Sequence, residues 1–204
     1  MSVRRLSKSY ISGGRDAGPK SSSFLASYSP AIEEMDLISR VSLSASAASI
    51  EFTSIPQTYQ HLQCRILMRL SSGTNTGNVS LYGRFNSDSG SNYNDHYLYG
   101  GNGTVAAGSD LSQTGTWFGE AAGNSVGSNV FAASIVDVLD YASTSKYKTI
   151  RSLEGMDQNS AQSYVYLVSS LWRSTSAITS LQIVPSGSQT IAQYSTASLF
   201  GIKA

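Results

Sequence analysis

Alternation of apolar and polar residues is the feature of this sequence that most restricts its fold. Within residues 61–69 every second residue is apolar: Leu62, Cys64, Ile66 and Met68. Because successive side chains of a β-strand point to opposite faces of the sheet, this spacing predicts a strand with one buried face. Residues 78–85 repeat the pattern, with Val79, Leu81 and Phe85 facing inward. The chain is therefore expected to form sheets that cover a core.

Further segments with strand character follow one another along most of the chain. They are 37–43, 49–53, 96–99, 116–119, 130–139, 148–153, 164–172, 178–184 and 195–202. Between them lie stretches rich in Gly, Ser, Asn and Asp, which give the backbone freedom that chain reversals need. These stretches are 71–77, 87–94, 100–108, 123–129, 157–162 and 185–189. Only two places favour a short helix: residues 29–34, which begin Ser-Pro and end Glu-Glu, and residues 139–145.

Many short strands without βαβ alternation indicate an all-β protein. We expect an antiparallel β-sandwich, with a jelly roll as the preferred topology and a closed barrel as the alternative. The chain has 204 residues, which suffice for one such domain but leave little for a second. We therefore predict an extended N-terminal arm, residues 1–36, followed by a sandwich body, residues 37–204.

The predicted arm is basic. Residues 1–20 contain five Lys or Arg and one acidic residue, a net charge of +4, whereas the rest has nine basic and twelve acidic residues, a net charge of −3. Apolar residues lie between the charges, and apolar anchors in an unfolded segment require a pocket on a protein. We therefore expect docking on a protein partner and consider nucleic acid the less favoured alternative. The proposed docking residues are Arg4, Arg5, Lys8, Tyr10, Arg15 and Phe24.

The sequence gives little support for catalysis or for metal and cofactor binding. The single cysteine, Cys64, rules out a disulfide framework within one chain. His61 and His96 have the positions of surface histidines, and no Gly-x-Ser-x-Gly elbow between a strand and a helix is evident. Residues 86–90 place oxygen donors as a calcium loop does but lack its closing acid. No signal peptide and no run of ~18 apolar residues is present, so we expect neither secretion by that route nor membrane insertion.

Aromatic and basic residues suggest where copies of the body meet. We predict an oligomer interface from Tyr164, Tyr166 and Trp172 on one face of a strand, with core packing or sugar binding as alternatives. Three basic residues join this prediction: Lys146, Lys148 and Arg151. They follow a stretch, residues 85–145, without Lys or Arg, and could pair with an acidic neighbour or keep a strand edge solvated.

Five segments together resemble a group of small virion structural proteins of tailed bacteriophages, including phages of cyanobacteria. They are YQHLQCR at 59–65, NYNDHYLYG at 92–100, DY at 140–141 with KYKTIRSL at 146–153, LWRSTSAITSL at 171–181 and SLFGI at 198–202. The resemblance covers about residues 50–203 and leaves the arm outside. It implies a non-enzymatic role and a symmetric homo-oligomer on the particle.

These observations lead to two expectations of function. The first is a subunit of the virion, associated with the tail or its fibres or decorating the capsid, that oligomerises through the body, with a trimer preferred. Its arm would dock on other virion proteins. The alternative is an adhesin that binds host glycans through the loops 87–94, 100–108 and 123–129, with Asn92, Tyr93 and Tyr97 as candidate receptor residues.

Overall fold

Two antiparallel sheets make up the part of the protein described by this computed structural model, residues 34–72, 77–158 and 163–203. This part contains twelve strands and no helix: β1 (Met35–Ser42), β2 (Ile50–Phe52), β3 (His61–Met68), β4 (Asn78–Phe85), β5 (Tyr93–Gly101), β6 (Thr104–Gln113), β7 (Thr116–Ala122), β8 (Ala132–Leu139), β9 (Lys148–Met156), β10 (Tyr164–Trp172), β11 (Leu181–Pro185) and β12 (Thr196–Ile202). The all-β prediction is confirmed.

The strand order identifies the sandwich as a jelly roll with two insertions. The larger sheet has the order β1-β12-β3-β8-β9-β10-β5-β6 and the smaller one β2-β11-β4-β7. Four antiparallel pairs are nested in the chain: β1 with β12, β2 with β11, β3 with β8, and β4 with β7. Such nesting is the signature of two Greek keys wound as a jelly roll. The strands β5, β6, β9 and β10 are inserted and extend the larger sheet.

The core forms where the alternating apolar residues of the two sheets meet. In β3 and β4 the apolar residues predicted to face inward are all buried. The smaller sheet's edge strand, β7, is buried at all seven positions and packs over β8, β9 and β10. Since β5 and β6 lie beyond β10 in the larger sheet, the inner face of that sheet extends past the smaller sheet at this end.

Four rings fill one end of the core. Phe85 contacts Tyr93, Phe118 and Trp172 with ring centroids 5.4–6.2 Å apart, and Tyr93 stacks on Trp172. The Trp172 indole donates a hydrogen bond to the Asp88 carboxylate at 2.8 Å. Because β5 and β10 are inserted strands, these contacts join the insertions to the jelly roll.

The structure corrects two predictions about the path of the chain. Residues 100–108 were expected to form a turn, but only Asn102 and Gly103 do, and β6 begins at Thr104. Both turn residues have positive φ, 51° and 71°, as a two-residue hairpin loop requires. Residues 139–145 form a turn instead of a helix. The predicted helix at 29–34 lies outside the described residues except for Glu34, and β1 begins inside the predicted arm.

Replacing Trp172 with Ala is expected to lower the free energy of unfolding by about 3–5 kcal/mol, because it opens a cavity among the four rings and removes a donor from Asp88. Tyr194, an aromatic residue that is 72% exposed, provides a matched control in Tyr194→Ala, which should change stability by less than about 0.5 kcal/mol. Denaturant unfolding of both variants checks this. Equal midpoints for the two would contradict the assignment of Trp172 to the core.

Candidate interaction sites

Asp88 and His61, two of the residues considered for metal binding or catalysis, form hydrogen bonds within the fold. Within the described ranges, no three His, Cys, Asp or Glu side chains group as metal ligands. Asp88, in the segment that resembles a calcium loop, accepts hydrogen bonds from Trp172, Asn92 and the Gly90 backbone. Burial raises the pKa of this carboxyl, but these hydrogen bonds outweigh burial and the net pKa is lowered. His61 Nδ1 accepts a hydrogen bond from the Asp140 backbone.

The residues predicted for the oligomer interface do not share one surface. Trp172 is only 2% exposed and has no free face for a second subunit. Lys148 is also buried, because strand parity places it on the same face as Ile150. Its ammonium donates to the backbone oxygens of Ser143, Lys146 and Thr175, and burial lowers its pKa.

Two other residues of the predicted interface remain accessible. Lys146 is exposed and pairs with Asp140 at 2.7 Å, and Arg151 is exposed on the outer face of the larger sheet. The three basic side chains therefore belong to a loop, the core and the outer face, and do not form one edge. The residues predicted for arm docking all lie outside the described residues.

The candidate receptor residues make contacts within the fold. Tyr93 is buried, and its hydroxyl bonds to the backbones of Phe85 and Asp88. The Asn92 side chain donates to the Asp88 carboxylate. Tyr97 is half-buried and meets Trp117 edge to face at 5.0 Å. Tyr93 therefore belongs to the core, and residues 93–97 lie in β5 and not in a loop.

An aromatic cluster lines the inner face of the inserted strands. Tyr99 stacks on Tyr166 at 5.1 Å with an interplanar angle of 25°. Tyr166 also contacts Tyr164 at 5.3 Å and Trp117 at 4.9 Å, both edge to face. Tyr164 and Tyr166, predicted to face a second subunit, thus face inward and are half-buried. Sequence reasoning singled out Tyr164 and Tyr166 but not their contacts with Tyr99 and Trp117, because the pairing of β5 with β10 joins residues far apart in the chain.

A cleft opens beside this cluster where the larger sheet extends past the smaller one. The cavity has a volume of about 270 Å³. Its walls are the rings of Tyr99, Tyr164 and Tyr166 together with the polar residues Asn78, Asn102, Thr104 and Ser163 and the backbone of Gly101. The β5–β6 hairpin loop forms one rim. We call this cavity the aromatic cleft.

Two buried glutamates lie between the sheets near the aromatic cleft. Glu120 of β7 and Glu154 of β9 are 8% and 2% exposed, and neither forms an ion pair with another described residue. Burial raises the pKa of Glu120 to about 7. Burial, and then the charge of Glu120, raise that of Glu154 to about 9. Glu154 is therefore held protonated near neutral pH, and Glu120 is protonated in roughly half of the molecules, because a low-dielectric site disfavours the charged form.

Two neighbours show how tightly this pair is enclosed. Gly119 has a φ of 124°, and a Cβ at this position would overlap the Glu154 carboxylate. Asp95 of β5 is also buried but accepts hydrogen bonds from the Trp117 backbone and the Thr116 hydroxyl. Sequence reasoning missed the pair, although a signal existed: strand parity places Glu154 on the same face as Ile150.

The outer face of the larger sheet exposes a continuous apolar row. Strand register places Ile135 opposite Leu153, Leu153 opposite Leu167, and Leu167 opposite Leu98. Val165 and Val105 flank Gly100 in the adjoining row. We call these six residues, each at least 43% exposed, the outer stripe. Sequence reasoning did not identify this surface because its residues come from five strands.

The buried glutamates predict how stability depends on pH. The unfolded chain releases these protons near the ordinary value of 4.5, whereas the folded protein keeps them to about 7 and about 9. Between these values the folded state binds more protons than the unfolded chain. The free energy of unfolding therefore falls as pH rises, by at most about 1.4 kcal/mol per pH unit for each proton that the folded state retains. Melting temperatures measured from about pH 5 to about pH 9 should decline accordingly.

The same series of melting temperatures, measured on variants, distinguishes the effect of the two buried glutamates from that of other acidic residues. Glu154→Gln should flatten the decline, since an amide does not ionise, whereas Glu34→Gln, at an exposed position, should leave it unchanged. A wild-type melting temperature that stays level across the window would show that the glutamates are not held protonated.

Comparison with protein-family models finds no match for the chain, and comparison with curated proteins finds none either. Among the described residues, no helix has the length and apolar character needed to cross a membrane. The resemblance to virion structural proteins of tailed phages therefore stays an expectation drawn from sequence.

Proposed function

We propose that this protein is a non-enzymatic structural subunit that associates with copies of itself through the outer stripe. In keeping with its resemblance to tailed-phage virion proteins, the assembly would belong to the phage particle, as a tail- or fibre-associated or capsid-decorating element. The basic arm would attach it to other virion proteins. The outer stripe is the observation that carries this proposal.

The outer stripe has the dimensions of an interface core. It crosses β8, β9, β10, β5 and β6, which at the ordinary strand spacing extend over roughly 20 Å. Leu153 and Leu167, at its centre, are 54% and 51% exposed. Contiguous apolar surface of this kind is uncommon on monomers and marks association sites. Burying the leucines against a second copy would remove their apolar area from water, which stabilises association by about 25 cal/mol per Å².

Charges beside the outer stripe favour a second copy of this chain as the occupant. In the next row of the sheet, Asp137 lies opposite Arg151, and Arg151 lies opposite Ser169. Arg151 makes no ion pair with another described residue. A partner that presents the same surface would offer both an apolar row and an acid for this guanidinium. An interface in which the same surface faces itself is two-fold symmetric, so the outer stripe favours a dimer contact over the trimer expected from sequence.

The distribution of charge supports a separate role for the arm. Residues 1–20 have a net charge of +4 and the remainder a net charge of −3. A basic segment with apolar anchors would bind an acidic, grooved protein neighbour more readily than this mildly acidic body. The arm would therefore provide attachment, and the body would provide assembly.

The double variant Leu153→Lys, Leu167→Lys is expected to be monomeric, because facing stripes would then bring together buried like charges. Light scattering of the full-length protein measures this. Leu37→Lys is the matched control, since Leu37 is 56% exposed on the same sheet but lies outside the outer stripe. A double variant that keeps the wild-type mass, or a wild-type protein that is monomeric at high concentration, would refute self-association through this face.

Deletion of residues 1–29 should abolish incorporation into particles. The number of chains in the purified oligomer should stay unchanged. The reason is that the deletion spares β1, which begins at Met35, and the entire outer stripe. Incorporation is measured by complementing a phage that lacks the protein and analysing purified particles. Normal incorporation of the shortened protein would contradict attachment through the arm, and loss of the oligomer would make the arm a link between subunits.

A further inference from the structure

We propose that the aromatic cleft is a binding site for a neutral saccharide, contacted on one side by tyrosine rings and on the other by the β5–β6 hairpin. This inference is independent of self-association, since the cleft is on the inner side of the larger sheet and the outer stripe is on the opposite side. It does not depend on the receptor residues expected from sequence, Asn92, Tyr93 and Tyr97, although its hairpin rim lies within the predicted loop 100–108.

The rings provide an apolar wall that is already ordered. Tyr99 and Tyr166 support each other by stacking, and Tyr164 and Trp117 brace Tyr166 from two directions. A pyranose ring has a flat face of C–H groups that packs on an aromatic ring, and tyrosine adds a hydroxyl at the edge. Because the rings hold one another in place, binding would require little loss of side-chain freedom.

The opposite rim provides hydrogen-bonding groups suited to hydroxyls. Asn78, Asn102 and Thr104 line the cavity, and their side chains make no hydrogen bond with another described residue. A carboxamide both donates and accepts, as does a hydroxyl, so these groups match the mixed donors and acceptors of a sugar. Asn102 is held in place because it and Gly103 form the two-residue hairpin loop.

The charges around the cleft favour a neutral ligand over an anionic one. None of the residues that line it is Lys, Arg, Asp or Glu, and residues 85–145 contain no Lys or Arg. A nucleic acid could stack on the tyrosines, but its phosphates require Lys or Arg contacts that are missing here.

The size of the cavity limits the ligand to a small unit. At about 270 Å³ it lies just below the range of roughly 300–1,000 Å³ that holds drug-sized ligands. One sugar ring would fill it, and further rings of a chain would extend over the hairpin into solvent. We therefore infer recognition of a single residue, terminal or internal, of a neutral glycan.

The test uses the full-length protein and a panel of neutral hexoses and N-acetylhexosamines, as monosaccharides and disaccharides, at millimolar concentration. Saturation-transfer-difference NMR identifies binders, and titration gives the dissociation constant. We expect at least one member to bind, with signals strongest from the protons of one sugar face. Absence of binding by every member would overturn the proposal, as would equal binding of inorganic phosphate or a uronic acid.

Asn102→Gly is the informative variant, because glycine accepts the positive φ of this turn and only the carboxamide is removed. It should weaken binding by about tenfold or more. Ser112→Gly is the matched control: Ser112 also has positive φ, 56°, and is exposed on β6 away from the cleft, so binding should be unchanged.

A second pair of variants tests the ring wall. Tyr99→Ala should abolish detectable binding, whereas Tyr99→Phe should retain most of it, because Phe keeps the stacking face. Circular dichroism and melting temperature confirm that each variant is folded. Wild-type affinity in both Asn102→Gly and Tyr99→Ala would place the bound sugar elsewhere and overturn the proposal.

Discussion

The carboxylate of Asp88 holds the inserted strands on the jelly roll, and the remaining features of this end of the molecule depend on it. It accepts hydrogen bonds from Trp172 at the end of β10, from Asn92 just before β5, and from the Gly90 backbone. The backbone oxygen of the same residue accepts from Tyr93. One residue thus ties the inserted β5 and β10 to the turn that follows β4. Without this anchor the four-ring core would lose its support, whereas the aromatic cleft lies at the opposite ends of β5 and β10.

Alternation in the sequence was enough to predict the sandwich, because a period of two is a direct consequence of strand geometry. It also predicted the inward residues of β3 and β4. What it could not supply was pairing between distant strands, which assembles both the outer stripe and the aromatic cleft. Composition misled at β6, whose Gly and Ser content imitates a loop, and at Lys148, whose charge suggests exposure although parity turns it inward. The sequence is compatible with Trp172 either in the core or on the surface. Only its contacts with the surrounding rings in the folded protein place it in the core.

Neighbouring residues of the same strands serve both proposed surfaces. In β5, Leu98 belongs to the outer stripe and Tyr99 to the cleft, while in β10 Leu167 and Tyr166 divide in the same way. A closed assembly through the outer stripe would leave every cleft on the side away from the contact. Several weak sugar sites held at fixed spacing would then act together, and multivalent attachment exceeds the affinity of each site by a large factor. A structural subunit built in this way would need no tight individual site.

The edge strand β6 of the larger sheet could allow unwanted aggregation by strand addition. β6 has ten residues, lies at the edge of the sheet and contains neither Lys, Arg nor Pro, so its free backbone groups could recruit a strand from another molecule. Its register with β5 shifts near Asp95, where Ser112 adopts positive φ. Irregularities of this kind twist an edge away from flat pairing. The irregularity at Ser112 would therefore hinder the addition of strands at the β6 edge. A protein that self-associates through its outer stripe would in this way avoid fibril formation.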